Sequence, residues 1–316
     1  MEQRALGRTG LSIAPIVFGG NVFGWTADEK TSFDLLDRFF DAGFNCIDTA
    51  DVYSAWVDGH GGGESETIIG KWLKRGHVAR DRAVIVTKVG FDNRGRKTGL
   101  SAGWIAEAVE ASLKRLGTDY IDLYFAHKPD DEVPHEETLA AFDRLKQEGK
   151  VRAIGCSNFD VHHLRASLEA AAHHGLPRYD VIQPEYNLYT RDKFEGPLAD
   201  LCTREELGVI SYYALAAGFL TGKYRSAEDT EGSSRGYRVG DYLNDKGFRI
   251  LAALDELAVE TDAEPATIAL AWLIQKKGLT APIASATSLA QLETMMAAAD
   301  LSLSADQMKL LDEAGA

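Results

Sequence analysis

The chain has 316 residues, 45% of them hydrophobic and 26% charged, and its 34 Lys and Arg against 48 Asp and Glu give a net charge of −14. That length supports a large core in one domain, residues 1–316, while the acidity and the lack of a long basic stretch argue against a nucleic-acid surface or an anionic-membrane partner. Cys46, Cys156 and Cys202 form no Cys-x-x-Cys pair, and Met1-Glu2-Gln3-Arg4 opens neither a secretory leader nor an apolar span, so a cytoplasmic protein is expected.

In chain order, Arg4-Ala5-Leu6 and Leu11-Ser12-Ile13, parted by Gly7-Arg8-Thr9-Gly10, predict a short hairpin able to plug the closed end of a barrel. A strand near Ile16 to Phe18, a helix from about Asp28 to Ala42 and a strand ending at Asp48 follow. The glycine-rich loop Gly59 to Gly63 precedes a helix starting near Glu64, and the next strand ends at Lys88. From Ser101, a suitable N-cap, to Leu116 the residues Ile105, Val109, Leu113 and Leu116 recur on one helical face. The strand ending at His127 comes next. Helices at His135 to Glu148, Asp160 to Ala172 and Glu195 to Glu206 separate strands at Val151, Tyr179 and Val209. The polar stretch Arg225 to Lys246 is too long for a simple connection and reads as a lid. Helical patterns at Phe248 to Glu260 and Glu264 to Gln275 lead to a strand at Pro282-Ile283 and helices at Ala290 to Ala299 and Ala305 to Ala314. Eight strands alternating with helices favour a (β/α)8 TIM barrel with an N-terminal β-hairpin and C-terminal extra helices over a doubly wound open sheet.

The apolar runs share a feature: each ends in a polar residue able to do chemistry. Phe44-Asn45-Cys46-Ile47 leads to Asp48 with Tyr53 just beyond, Ala83-Val84-Ile85-Val86-Thr87 to Lys88, and Ile121-Asp122-Leu123-Tyr124-Phe125-Ala126 to His127. Gly155-Cys156 leads to Ser157 and Asn158, and Val181-Ile182 to Gln183. In a parallel barrel these strand ends converge on one face, where barrel enzymes place their chemistry. Asp48, Tyr53, Lys88 and His127 form a coherent set for proton transfer to a carbonyl oxygen. An adjacent ammonium stabilises phenolate; Lys88 supplies it, Asp48 keeps Lys88 protonated and in place, and His127 orients the substrate oxygen or shares its proton. Tyr53 is then the acid in reduction and the base in alcohol oxidation. The same residues also suit an interior ion pair beside a packed tyrosine and histidine. A carboxylate pair such as Asp48 with Glu64 would suit a barrel hydrolase.

Asp48-Thr49-Ala50-Asp51-Val52-Tyr53 resembles the signature of the aldo-keto reductase family, Asp-Thr-Ala, two residues, then Tyr. Val86-Thr87-Lys88, Asp122-Leu123-Tyr124-Phe125-Ala126-His127, Gly155-Cys156-Ser157-Asn158-Phe159 and Leu220-Thr221-Gly222-Lys223-Tyr224 extend the resemblance over essentially the whole chain, toward the longer-chain branch that includes potassium-channel β subunits. The resemblance implies a (β/α)8 oxidoreductase using NADP(H), with NAD(H) as the alternative, on a small carbonyl or alcohol substrate, with Asp48, Tyr53, Lys88 and His127 as the catalytic tetrad. It also implies that Ser157, Asn158 and Gln183 fix the nicotinamide carboxamide and that Tyr212 stacks under its ring. Tyr213, Ala214, Leu215, Ala216, Gly218 and Lys223 would form the pyrophosphate loop, with Arg235 reaching phosphate from the lid. Gly20, Asn21, Ser285, Thr287 and Gln291 would complete the cofactor site.

The chain departs from the family's pattern in three places. The usual Ser-Pro-Leu is Tyr213-Ala214-Leu215, which removes a rigid proline. Thr287 and Gln291 are uncharged where many members carry Lys and Arg, and Thr294-Met295 replaces a Glu-Asn pair; both changes weaken recognition of the 2′-phosphate and adenine. Channel β subunits generally lack the histidine, so His127 favours an enzyme over a nucleotide-binding regulatory subunit with little turnover.

Other features carry less. Gly61-Gly62-Gly63 is not followed by Lys-Ser or Lys-Thr, and no Gly-x-Gly-x-x-Gly opens a helix. His162-His163 and His173-His174 lack ligand spacing, so no metal is expected. Trp25, Trp56 and Phe91 follow the first three strands as candidate walls of an apolar substrate pocket.

Overall fold

The structure, a computed structural model, describes residues 2–91, 99–232 and 236–316. Strand β1 (Arg4–Ala5) pairs antiparallel with β2 (Ser12–Ile13), the hairpin expected. Eight parallel strands then close a barrel: β3 (Val17–Gly19), β4 (Cys46–Asp48), β5 (Val84–Val89), β6 (Ile121–Ala126), β7 (Val151–Ser157), β8 (Val181–Gln183), β9 (Gly208–Ser211) and β10 (Ala281–Ala284), with β10 returning to pair with β3. This is the (β/α)8 architecture. Between strands lie α1 (Glu29–Asp41), α2 (Glu64–Lys74), α3 (Ala102–Leu116), α4 (His135–Gln147), α5 (Val161–His174) and α6 (Pro197–Arg204). After β9 come one helical turn, α7 (Gly236–Val239), then α8 (Asp245–Thr261) and α9 (Pro265–Gln275); α10 (Leu289–Ala297) and α11 (Ala305–Ala314) follow β10. α10 packs between α9 and α1 to close the helical ring, whereas α11 lies against α8.

Strand parity decides what reaches the centre, because alternate residues of a barrel strand point inward. The interior cluster contains Val17, Cys46, Val84, Val86, Leu123, Phe125, Ala153, Val181, Ile210, Ala281 and Ile283. Their neighbours Ile47, Ile85, Tyr124, Ile154, Ile182 and Val209 pack outward in the shell beneath the helices. Two residues past an interior position, the same parity presents Asp48, Lys88, His127, Gln183, Tyr212 and Ser285 at the C-terminal rim. The opposite end is sealed: Leu6 and Ile13 of the hairpin belong to the interior cluster. Gly7, at φ +57°, approaches β8 and β9 so closely that a Cβ would collide with the Asp180 carbonyl and the Gly208 amide.

Three local readings shift. Ser101 occupies the N-cap of α3, but its side chain makes no capping bond among the described residues; the Ala102 amide donates instead to Glu137 of α4 at 3.0 Å. α6 begins at Pro197, not Glu195, because proline fits the first helical turn. The long polar segment that begins at Arg225 ends at Asn244, whose side chain accepts from the Gly247 amide and starts α8 ahead of Phe248. Its described part consists of short turns around α7. Cys46, Cys156 and Cys202 are buried. No described helix is long and apolar enough to cross a membrane.

Candidate active site

Lys88 stands at the centre of the rim, fully buried, and uses its ammonium three times. Nζ donates to Asp48 Oδ2 at 2.7 Å, to the Thr49 carbonyl at 2.8 Å and to the Tyr53 hydroxyl at 3.1 Å. The other Asp48 oxygen accepts from Gln183 Nε2 at 2.8 Å, so both carboxylate oxygens are engaged. β4, β5 and β8 thus each contribute one member of a single network. His127, just past the end of β6, completes the arrangement, its ring centroid 6.0 Å from that of Tyr53.

Burial and charge set the protonation states. Burial works against the Lys88 ammonium, but Asp48 and Tyr53 outweigh it and hold its pKa above the ordinary lysine value. Burial pushes the Asp48 carboxyl up, and Lys88 and Gln183 pull it back only in part. Beside Tyr53 an ammonium favours the phenolate. Lys88 does act that way, but burial is the larger effect and Asp48 adds to it, so the phenol sits above its usual pKa and keeps its proton at neutral pH. His127 is driven well below the usual histidine value by burial, with Lys88 and Lys128 adding to the effect. It is a neutral imidazole, and its Nδ1 is buried without a partner among the described residues.

Ser157, Asn158 and Gln183 come together beside this set, largely bonded to their surroundings. Ser157 Oγ donates to the Gln183 carbonyl at 2.9 Å; Asn158 Nδ2 donates to the His127 carbonyl at 2.9 Å and to Ser157 Oγ at 3.2 Å. Asn158 takes φ +61°, a left-handed conformation that asparagine tolerates better than most side chains. Its Oδ1 accepts from the Tyr212 hydroxyl at 2.7 Å, which ties the rim of β9 to that of β7. In the following loop Tyr213, Ala216, Ala217 and Gly218 all have positive φ. Without the proline, successive tight turns shape this loop: the Ala216 amide donates to Tyr213 O at 2.7 Å and the Gly218 amide to Leu215 O at 2.9 Å. The Lys223 ammonium lies alongside Gly218. Across the rim, Ser285 Oγ donates at 2.7 Å to Asn21 Oδ1, within the turn Gly20–Val22. At the start of α10, Thr287 donates from both its amide (2.9 Å) and its hydroxyl (3.1 Å) to Gln291 Oε1. Arg235 lies outside the described residues.

The model of the aldo/keto reductase family matches residues 15–316. The chain belongs to that family. It is 34% identical to the uncharacterized oxidoreductase YrpG of Bacillus subtilis (strain 168) over 319 residues, covering 99% of this chain and 95% of the relative. It is 32% identical to the aldo-keto reductase YhdN of the same organism over 320 residues, covering 98% and 92%. It is also 32% identical to a putative voltage-gated potassium channel subunit beta of Schizosaccharomyces pombe over 341 residues, again covering 98% and 92%. The chain is therefore an oxidoreductase of the aldo/keto reductase family.

Several features of this aldo/keto reductase lay beyond sequence reasoning. The Thr49 carbonyl as a third anchor for Lys88, and the bond from Gln183 to Asp48 across 135 positions, have no local signal. The Arg238 guanidinium lies 5.3 Å from the Tyr213 ring centroid and 5.6 Å from that of Tyr237, a basic residue set among aromatics in the long polar segment after β9. The carboxylate-pair hydrolase is overturned: Glu64 accepts from the amides of Ser54, Gly61 and Gly62, and Asp48 is occupied by Lys88 and Gln183. Trp25, Trp56 and Phe91 do gather at the mouth, Trp56 5.6 Å from Tyr53 and Phe91 5.1 Å from His127. His163 bonds Asp131 and Asp160, and no described group of three His, Cys, Asp or Glu is placed to hold a metal.

Proposed function

We propose that this aldo/keto reductase interconverts aldehydes or ketones and alcohols with NADP(H), Tyr53 acting as general acid/base. The observation that carries the reading is the three-way contact of the Lys88 ammonium with Asp48, the Thr49 carbonyl and the Tyr53 hydroxyl, beside a neutral His127. When bound, the reduced nicotinamide supplies a hydride to the carbonyl carbon. As negative charge grows on the carbonyl oxygen, Tyr53 transfers its proton there, and Lys88 stabilises the phenolate that remains. The phenol arrives protonated, and because burial makes it a weaker acid than usual, the Lys88 ammonium at 3.1 Å is what eases the departure of its proton. Neutral His127 has one N–H to place against the substrate oxygen, which orients the carbonyl without competing as a cation. In the oxidative direction the proton returns to Tyr53.

The residues present fit a nicotinamide cofactor. Ser157, Asn158 and Gln183 offer amide and hydroxyl groups for the carboxamide, and the Tyr212 ring is tethered to Asn158 as a platform for stacking. The positive-φ loop from Tyr213 to Gly218, with Gly20, Asn21, Lys223, Arg235 and Ser285, would receive the pyrophosphate and its neighbours. Gln291 already accepts two bonds from Thr287, and neither side chain is charged, which supports a modest preference for NADPH with NAD(H) still usable. The whole chain would work as one cytoplasmic domain on small molecules.

Relatives named as channel β subunits motivate a second reading, a nucleotide-binding regulatory subunit with little turnover. The neutral, buried His127 beside Tyr53 supports the enzyme instead. A panel of aldehydes, ketones and alcohols followed by nicotinamide absorbance separates the two: turnover supports the reductase, and tight nucleotide binding with no turnover on any compound supports the subunit.

A further inference from the structure

Glu64, the first residue of α2, spends its carboxylate on the loop that follows Tyr53. Oε1 accepts from the Gly61 amide at 2.8 Å and the Gly62 amide at 3.3 Å; Oε2 accepts from the Gly62 amide at 3.1 Å and the Ser54 amide at 3.2 Å. A carboxylate is favoured there, at the positive end of a helix, and charge-assisted bonds of this kind are the stronger ones. The loop carries Trp56, whose ring meets those of Tyr53 and Trp25, each at 5.6 Å. Trp25 arrives on a different loop, turned by its own bonds from the Trp25 amide to the Val22 carbonyl at 3.1 Å and from the Gly24 amide to the Ala27 carbonyl at 2.9 Å, and packs edge-on against Trp56. The Glu64 carboxylate thus clasps both ends of the loop that carries Trp56, at Ser54 and at Gly61–Gly62, and Trp25 leans on that loop through the Trp56 ring. Glu64 touches Tyr53 only through the Ser54 amide of the next peptide; Tyr53 has further anchors of its own, its carbonyl accepting from the Gly63 amide at 2.8 Å and its hydroxyl from Lys88.

We propose that Glu64 is a positioning residue that sets substrate selectivity, fixing Trp56, against which Trp25 packs, so that the site favours carbonyl compounds carrying a flat apolar ring. The proposal rests on Tyr53 serving the carbonyl oxygen. Loss of the carboxylate frees the amides of Ser54, Gly61 and Gly62 and lets Trp56 leave the pocket wall, while the bonds that hold Tyr53 persist.

The test compares benzaldehyde with propanal, using NADPH, in wild type, Glu64→Ala, Glu64→Gln, Trp56→Ala and the Glu64→Ala/Trp56→Ala double variant. Glu64→Ala is expected to raise KM for benzaldehyde about ten-fold while changing its kcat, and the KM for propanal, by less than about three-fold. Glu64→Gln keeps an acceptor oxygen and recovers most of the loss. On benzaldehyde the double variant should be no worse than Trp56→Ala alone, because the two residues act through one wall. Equal losses on both aldehydes, or additive losses in the double variant, overturn the proposal. Amide hydrogen exchange across residues 54–62, measured without substrate, should be at least about ten-fold faster in Glu64→Ala; unchanged exchange overturns the tether whatever the turnover. A wild type inert toward every carbonyl compound would remove the reductase reading on which the selectivity stands, and the exchange experiment then reads the tether alone.

Discussion

Gln183→Leu isolates the bond that ties β8 to the charged centre. The substitution keeps most of the side-chain volume but leaves Asp48 Oδ1, on a residue only 3% exposed, without the donor it now has at 2.8 Å. A hydrogen bond to a buried charged group contributes about 1.5 to 3 kcal/mol, and stranding that group costs at the upper end of this range. The bond serves the ionised carboxylate, so its loss raises further a pKa that burial already places above the ordinary value. The destabilisation is therefore complete where Asp48 is ionised in both proteins and fades as pH falls from the variant's folded pKa through the wild type's, both above the ordinary carboxylate value, since the unfolded chains titrate alike at this position. Urea unfolding of wild type and variant at about pH 7.5 and about pH 4, without nucleotide, should give a difference near 2 kcal/mol at the higher pH and well under about 1 kcal/mol at the lower. Equal differences at the two pH values would refute the reasoning, since that would mean the bond does not discriminate between the two forms of Asp48.

Because burial, Lys88 and Lys128 keep His127 neutral, kcat/KM for aldehyde reduction should show no histidine inflection between about pH 6 and 8; an inflection near pH 6.5 that disappears in His127→Gln contradicts this. NADPH should be preferred over NADH by about 10- to 100-fold, or about 1.4 to 2.7 kcal/mol, in kcat/KM with one saturating aldehyde, and Arg235→Ala should narrow the gap. Equal or better use of NADH by the wild type would overturn that assignment and leave the reductase chemistry intact. Exhaustive chelation should leave full activity, with elemental analysis finding no stoichiometric metal; activity lost to the chelator and restored by zinc would show the opposite.

What could be read from the sequence follows the barrel's parity. Cys46 and Asp48, Val86 and Lys88, Phe125 and His127, and Val181 and Gln183 alternate with outward residues. Apolar runs that end in polar residues therefore revealed the rim as well as the strands. Helix starts set by local chemistry were legible too, as where Asp28 accepts from the Thr31 amide at the start of α1. Bonds between distant strand ends were not, because nothing in the spacing of Asp48 and Gln183, or of Asn158 and Tyr212, says that their side chains meet. The net direction of the Tyr53 shift is not legible for a related reason: the lysine that favours phenolate is visible in a motif, whereas the depth of burial that outweighs it depends on how the surrounding elements pack.

The central claim is that Tyr53 passes the proton, and Tyr53→Phe tests it most directly. The variant keeps the ring between Trp56 and His127 and removes only the hydroxyl that Lys88 now contacts at 3.1 Å. With NADPH and an aldehyde, kcat should fall at least about 100-fold, the scale of general acid catalysis, while nucleotide affinity measured by fluorescence titration changes by less than about three-fold. Turnover within a few-fold of wild type would contradict the account.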